Sequence, residues 1–203
     1  MTPEQADSVK LSENIIITDA DYIDYVAFQL TVQFERMINR RIPKADLSQW
    51  AVDIALDGGL RENGKEHETQ LVLVHEKENP QMENFHPAVY DTELNAMAFK
   101  DEHLGEFLVN SYAVGDVVGK DDYILDTLSM ALGHDEVKRI MIIPNSEKGS
   151  IYDEIISLLR DVDDSKHITV FAMQPMPGGN FRQEILGYSI MNALGIKAEE
   201  IKN

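Results

Sequence analysis

The stretch "KRIMIIPNSEKGSIYDEIISLLRDVDDSKHITVFAMQ", residues 138–174, decides the fold class. Its ends, "KRIMIIP" and "HITVFAMQ", are short β-branched runs without alternation, the pattern of strands buried on both faces. Between them, in "SIYDEIISLLRDV", apolar residues recur at helical spacing. Strand, helix, strand at these lengths make a parallel β-α-β unit. "FRQEILGYSIMNALG" (181–195) then reads as one further helix.

The same rhythm extends backwards. "NIIIT" (14–18) and "TQLVLVHE" (69–76) are strands. From Asp21 to about Arg41 the residues Ile23, Val26, Ala27, Leu30, Phe34, Met37 and Ile38 form one helical stripe. Tyr22, Tyr25, Phe28 and Val32 form a second, so this helix is either sandwiched in the core or covered by a second subunit. Pro43 breaks it. "SQWAVDIALDGGL" (48–60) is a helix capped by Asp46 or Ser48 and stopped at Gly58 and Gly59. "DDYILDTLSMALG" (121–133) is another, capped by Asp121. Residues 92–114 read as a helix, an edge strand or both around a break at Gly105, with one more strand expected between 95 and 115. The expected architecture is a three-layer, Rossmann-like α/β domain with a mostly parallel central sheet of about five strands flanked by helices. Residues 1–13 read as a loose tail and 14–203 as a single domain.

Net charge is −18, from 36 acids against 18 bases. Such a surface repels phosphate backbones, so stable nucleic-acid binding is not expected. The best basic cluster, Arg36, Arg40, Arg41 and Lys44, lies at a helix end, where cations complement the macrodipole. There is no cysteine, which excludes disulfides and thiolate chemistry. "MTPEQADSVKLSEN" has no apolar signal segment, and no apolar run approaches membrane-spanning length. A cytoplasmic protein is the expectation.

In a parallel sheet, ligands bind beyond the carboxyl ends of the strands. That nominates "TDAD" (18–21), "HEKEN" (75–79), "PNSEKGS" (144–150) and "QPMPGGN" (174–180). Candidate ligand-binding residues there are His75, Glu76, Asn145, Ser146, Gln174 and Asn180. Gly178 and Gly179 could turn backbone amides toward an anion. Asp19, Asp21 and Asp24 crowd one strand-to-helix turn. Asp21 with Asp24 reads as a helix cap. Asp19 is left over, and a second carboxylate there costs repulsion unless a cation or donor offsets it. Asp53 and Asp57, four apart on one helix face, compete with apolar neighbours for the exposed side, so at least one is expected to be partly buried. No histidine pair sits at zinc-binding spacing, no G-x-S-x-G elbow occurs, and "PMPGGN" is neither kind of glycine-rich phosphate loop.

"IIITDAD" (15–21) together with "WAVDIALDGGL" (50–60) resembles the PIN/NYN-like metal-dependent ribonucleases over roughly the first third of the chain. The resemblance implies Asp19 and Asp21 as catalytic residues, and Asp19, Asp53 and Asp57 as ligands of Mg²⁺ or Mn²⁺ activating a water. Where that family carries an acidic "GDSDF"-like turn, this chain has "VHEKENPQ", with Glu76 or Glu78 as substitutes. "DADYI" (19–23) also resembles the Asp-x-Asp motif of haloacid-dehalogenase-type phosphatases. On that likeness Asp19 is the nucleophile, Asp21 the general acid, and Asp116, Asp121 or Asp122 a metal ligand, with Ile23 where the motif has Thr or Val. Taken whole, the chain resembles bacterial families to which no activity is attached. Three functional readings follow: a divalent-metal hydrolase of nuclease type, a non-catalytic ligand- or protein-binding domain on the same fold, and a phosphatase. Self-association through the second helical stripe is the expected partnership.

Overall fold

The structure, a computed structural model, describes residues 11–202. The strands are β1 (Asn14–Asp19), β2 (Ala45–Asp46), β3 (Glu68–Glu76), β4 (Phe85–His86), β5 (Met97–Asp101), β6 (Gly105–Val114), β7 (Arg139–Ile143), β8 (His167–Ala172) and β9 (Arg182–Ile185). The helices are α1 (Ala20–Ile38), α2 (Leu47–Asp57), α3 (Lys120–Gly133), α4 (Ile151–Leu159), α5 (Leu186–Ala193) and α6 (Ala198–Ile201). One central sheet has seven strands in the order β5-β6-β3-β1-β7-β8-β9; β2 and β4 form a separate two-stranded ribbon. Every neighbouring pair in the large sheet is parallel except β5 with β6. The parallel strands alone run 3-2-1-4-5-6 in chain order, the doubly wound arrangement, which reverses direction between β1 and β7.

The strands are apolar throughout because both faces are covered. Ile16, Leu71, Leu73, Met141 and Ile143 pack under α1, α2 and α5. Their alternates, Ile15, Ile17, Val72, Val74, Ile140 and Ile142, pack with α3 and α4 on the other face. Burying a side chain of this size contributes about 1.5–3 kcal/mol, so the sheet supplies the core of the domain. Among the described residues no helix is long and apolar enough to cross a membrane.

The sheet has seven strands rather than about five. Residues 97–114 form an antiparallel hairpin in which β6 also pairs in parallel with β3. The expected helix 181–195 begins instead with β9, paired in parallel with β8, and becomes helical only at Leu186. Its polar-rich start, "RQE", suits an exposed edge strand, and its apolar residues merge with those of the following helix, which hides the boundary. The expected tail falls outside the described residues over 1–10. Leu11 and Ser12 are buried, and the Ser12 hydroxyl donates to Glu68 Oε1 at 2.7 Å.

Gly105 opens β6 with φ +88°, and a Cβ there would lie 2.2 Å from the His67 carbonyl oxygen. Gly64 has a similar φ of +76° but nothing within 4 Å of a Cβ. Gly64→Ala should therefore cost only the left-handed backbone penalty, about 1–2 kcal/mol. Gly105→Ala should cost about 1–3 kcal/mol more, because β6 must separate from the 67–68 backbone. Urea unfolding of the two variants checks this; equal losses would refute the close approach.

Candidate functional site

β1 ends in Asp19, and the chain turns at once into α1. Asp19 is the helix cap: its Oδ1 accepts the Tyr22 backbone N–H at 2.9 Å. This corrects the sequence expectation, which gave the cap to Asp21. Capping frees Asp21 and Asp24 for other partners. Asp21 Oδ2 accepts the Glu76 N–H at 2.8 Å and Oδ1 accepts the Asn79 side-chain amide at 2.8 Å. Asp24 accepts the N–H groups of Glu83 and Asn84 at 3.0 and 2.7 Å. The three aspartates thus start α1 and fasten the segment after β3 to its side.

The cation that offsets this charge comes from the chain itself. Lys120, the first residue of α3, places its Nζ 3.0 Å from Asp19 Oδ1, 2.9 Å from Asp21 Oδ2 and 3.9 Å from Glu76 Oε1. Burial alone would lower the ammonium's pKa, but Asp19 and Asp21 outweigh it and hold Lys120 above the ordinary lysine value. Asp19 is fully buried, and its Oδ2 has no hydrogen-bond partner. Desolvation pushes its carboxyl up to about 6, against the opposing pull of Lys120 and of the Tyr22 N–H.

Around this group lies a crevice at the carboxyl edge, where the sheet reverses between β1 and β7. It comprises two adjoining depressions of about 340 and 430 Å³, enough for a small molecule. Asp19, Asp21, Lys120, Asn145, Glu147 and Lys148 line it, with Glu76, Asp121 and Asp122 on the rim. The buried Tyr22 hydroxyl donates to Glu147 Oε2 at 2.7 Å and fixes the wall from β7 to α4. Of the sequence candidates, Asp19, Asp21, Glu76 and Asn145 meet here, with Ser146 next in the chain. His75 does not line the crevice; it is buried, stacked on Tyr90 at a ring separation of 3.6 Å.

Asp53 and Asp57 stand elsewhere. Asp53 accepts from Gln49 and from Asn192 of α5. Gly58, beside Asp57, accepts from Arg139, the first residue of β7. Asp57 is half-buried; desolvation and the charges of Glu184 and Asp53 push its carboxyl up to about 6. Arg139 is in register with Asn14, at the start of β1. Asp19 lies five residues further along, about 16 Å at strand rise. The ion expected between Asp19, Asp53 and Asp57 therefore has no common position, because α2 runs antiparallel to the strands and carries its last turn to the amino edge. Among the described residues no group of three or more acids and histidines is arranged to hold a metal ion.

The fourth nominated turn is also corrected. After β8 the chain crosses back through 173–181 to start β9, so Asn180 reaches the amino edge, where it donates to the Val162 carbonyl. Gly178 and Gly179 face Gln183 and Phe181. Gln174 stays exposed at the end of β8, outside the crevice.

A family model matches residues 8–201. The chain belongs to the family of unknown function DUF6621. Comparison with the curated proteins and with the solved structures gave no match. The site of this DUF6621 chain therefore rests on its own geometry.

Lys120, Glu147 and Lys148 were not among the candidates from sequence. Lys120 carried a signal: a cation in a first helical turn opposes the macrodipole, and "VGKDD" places one there with no side-chain cap at Gly119. The deficit is offset by Asp19 and Asp21.

A raised carboxyl pKa means that the folded state binds the proton more tightly than the unfolded chain does. Asp19 therefore contributes stability that is full below about pH 4 and lost as pH rises through about 6. About two pKa units correspond to about 3 kcal/mol. Asp19→Asn keeps a capping side chain but does not titrate. The stability of Asp19→Asn relative to wild type should rise by about 3 kcal/mol between pH 4 and pH 7 in chemical denaturation. A flat difference would show that Asp19 ionises as it does in the unfolded chain.

Proposed function

We propose that this chain is a binding domain, with a small polar ligand held in the crevice where the sheet reverses. The observation that carries this reading is the Lys120 ammonium, within 3.0 Å of both Asp19 and Asp21. In a metal hydrolase of the PIN/NYN type a divalent ion would occupy such a position and present a water. Here a covalently attached cation takes it. Asp21 accepts from Lys120, Glu76 and Asn79, a surrounding that suits an acceptor and not the proton-donating role of a phosphatase general acid. What the crevice offers is recognition. Lys120, Lys148 and Asn145 can donate, while Asp21 and the rim acids Glu76, Asp121 and Asp122 can accept. This fits a neutral or cationic ligand rich in hydroxyl or amino groups, such as a polyol or an amino sugar.

The metal-hydrolase reading keeps one observation in its favour, the unpartnered Asp19 Oδ2 beside Asp21 and Glu76. The residues present do not fit Mg²⁺ or Mn²⁺, because Lys120 neutralises the two carboxylates that converge and the other two expected ligands lie at the far edge. The phosphatase reading gains Asp121 and Asp122 on the rim but meets the same lysine.

Thermal unfolding with millimolar Mg²⁺ or Mn²⁺ separates the readings. The ions should leave wild type unchanged. Lys120→Ala should start less stable, by about 3–5 kcal/mol, since a buried charge pair has lost one partner. It should then regain stability with metal, because a ligand of the native state stabilises by mass action, about 1.4 kcal/mol at a tenfold excess over Kd. A metal-dependent rise in wild type, abolished by Asp19→Asn, would replace the binding reading with the hydrolase one. Polyols and amino sugars form the second arm: those that stabilise wild type should lose their effect in Lys148→Ala, which removes a donor common to both depressions.

A further inference from the structure

α1 carries two apolar stripes, and the structure covers only one. Tyr22 turns inward, but Tyr25 and Phe28, one helical turn apart, are 54% and 48% exposed. They do not stand on an open surface. With the segment 78–84 they bound a groove of about 470 Å³. Its far wall is fixed, because Asp24 accepts from the backbone of Glu83 and Asn84 and Asp21 accepts from Asn79. The exposed Glu78 and Glu83 also line the groove, Glu83 Oε1 accepting from the Gln81 side-chain amide at 2.9 Å. Tyr90 lies at its base, buried and stacked on His75. Among the described residues no lysine or arginine lines the groove.

We infer that this groove docks a basic segment of another protein, an extended run in which arginines alternate with apolar residues. Charge complementarity decides the occupant. Asp21 is matched by Lys120, but Asp24, Glu78 and Glu83 line the groove with no lysine or arginine among its described lining residues, in a chain of net charge −18. A second copy would bring the same acids and the same net charge to the contact, and like charges facing each other are unfavourable. A guanidinium satisfies both features of the groove. It stacks flat on Tyr25 or Phe28, a contact typically closer to optimal for arginine than for lysine, and its N–H fork reaches Glu78 or Glu83. The apolar residues between arginines cover the remaining aromatic surface. The preformed wall means that docking orders the peptide alone, which lowers the cost of binding.

The probe is a fluorescein-labelled octapeptide of alternating arginine and leucine, followed by anisotropy on the full-length protein at physiological salt. Wild type should bind it, and the Tyr25→Ala, Phe28→Ala double variant should bind at least tenfold more weakly. That variant leaves net charge untouched, so the loss cannot come from general attraction to an acidic protein. Both side chains are half exposed, and an unchanged melting temperature verifies the fold. Glu78→Gln with Glu83→Gln should weaken binding and flatten its salt dependence, whereas Asp163→Asn with Asp164→Asn, which removes equal charge at the amino edge, should not. The lysine–leucine counterpart should bind more weakly than the arginine peptide. Equal binding by wild type and the aromatic double variant would overturn the inference. So would a dimer of the unliganded protein in sedimentation that Tyr25→Ala and Phe28→Ala dissolve, since the occupant would then be a second copy.

Discussion

The contact on which this structure turns is the ammonium of Lys120 between the carboxylates of Asp19 and Asp21. It joins the end of the central strand β1, the start of α1 and the start of α3, three elements on both faces of the sheet. All three side chains are largely shielded from water, with exposures of 15%, 1% and 19%. Surface ion pairs at this distance contribute little. Here the balance is different, because each charge has given up hydration and the loss of any one leaves the others uncompensated. The arrangement specifies more than it stabilises: Asp19 still has a bare oxygen and an elevated pKa, the mark of a charge kept in an unfavourable place. Such sites concentrate where function is.

Much of the fold was legible in the sequence because a parallel sheet announces itself. The runs at 14–18, 70–75, 139–143 and 168–172 could be buried strands only, and the helices between them left no other topology class. What was hidden was hidden for physical reasons. β9 is a four-residue edge strand whose apolar end continues the stripe of α5 without a break. The hairpin of β5 and β6 alternates imperfectly because β6 is paired on both sides while β5 forms an edge. The site was half legible. The rule that ligands gather at strand ends found Asp19, Asp21, Glu76 and Asn145, since it depends on topology alone. It misplaced Asn180, because a helix-free crossover carries that residue to the other edge. Local spacing linked Asp53 and Asp57 to Asp19, but only the direction of α2 determines whether those acids approach it. Lys120 lies 99 residues from Asp21, and no local pattern connects them.

The aspartates of the first turn show how one short segment serves several purposes. Asp19 caps, Asp21 bridges to Lys120 and to the segment after β3, and Asp24 clamps that segment to the helix. Their side chains account for two neighbouring features, a polar crevice toward β7 and an aromatic, acidic groove toward residues 78–84. Because α1 separates the two, a small ligand and a protein segment could occupy them together, with Asp21 and Tyr25 common to both walls.

The two borders of the sheet bear on how the molecule behaves in a crowd. An unpaired strand edge is a template for another chain, and unguarded edges polymerise. β9 is four residues long and carries Arg182 and Glu184. β5 carries Lys100, whose ammonium reaches Glu66 at 2.6 Å. Short length on one border and placed charges on both make the addition of an eighth strand unfavourable. The most exposed aromatic side chains, Tyr25, Phe28 and Tyr188, lie on helices instead, where the backbone donors and acceptors are engaged within the helix. A contact made on that helical surface would engage side chains alone and would not extend the sheet.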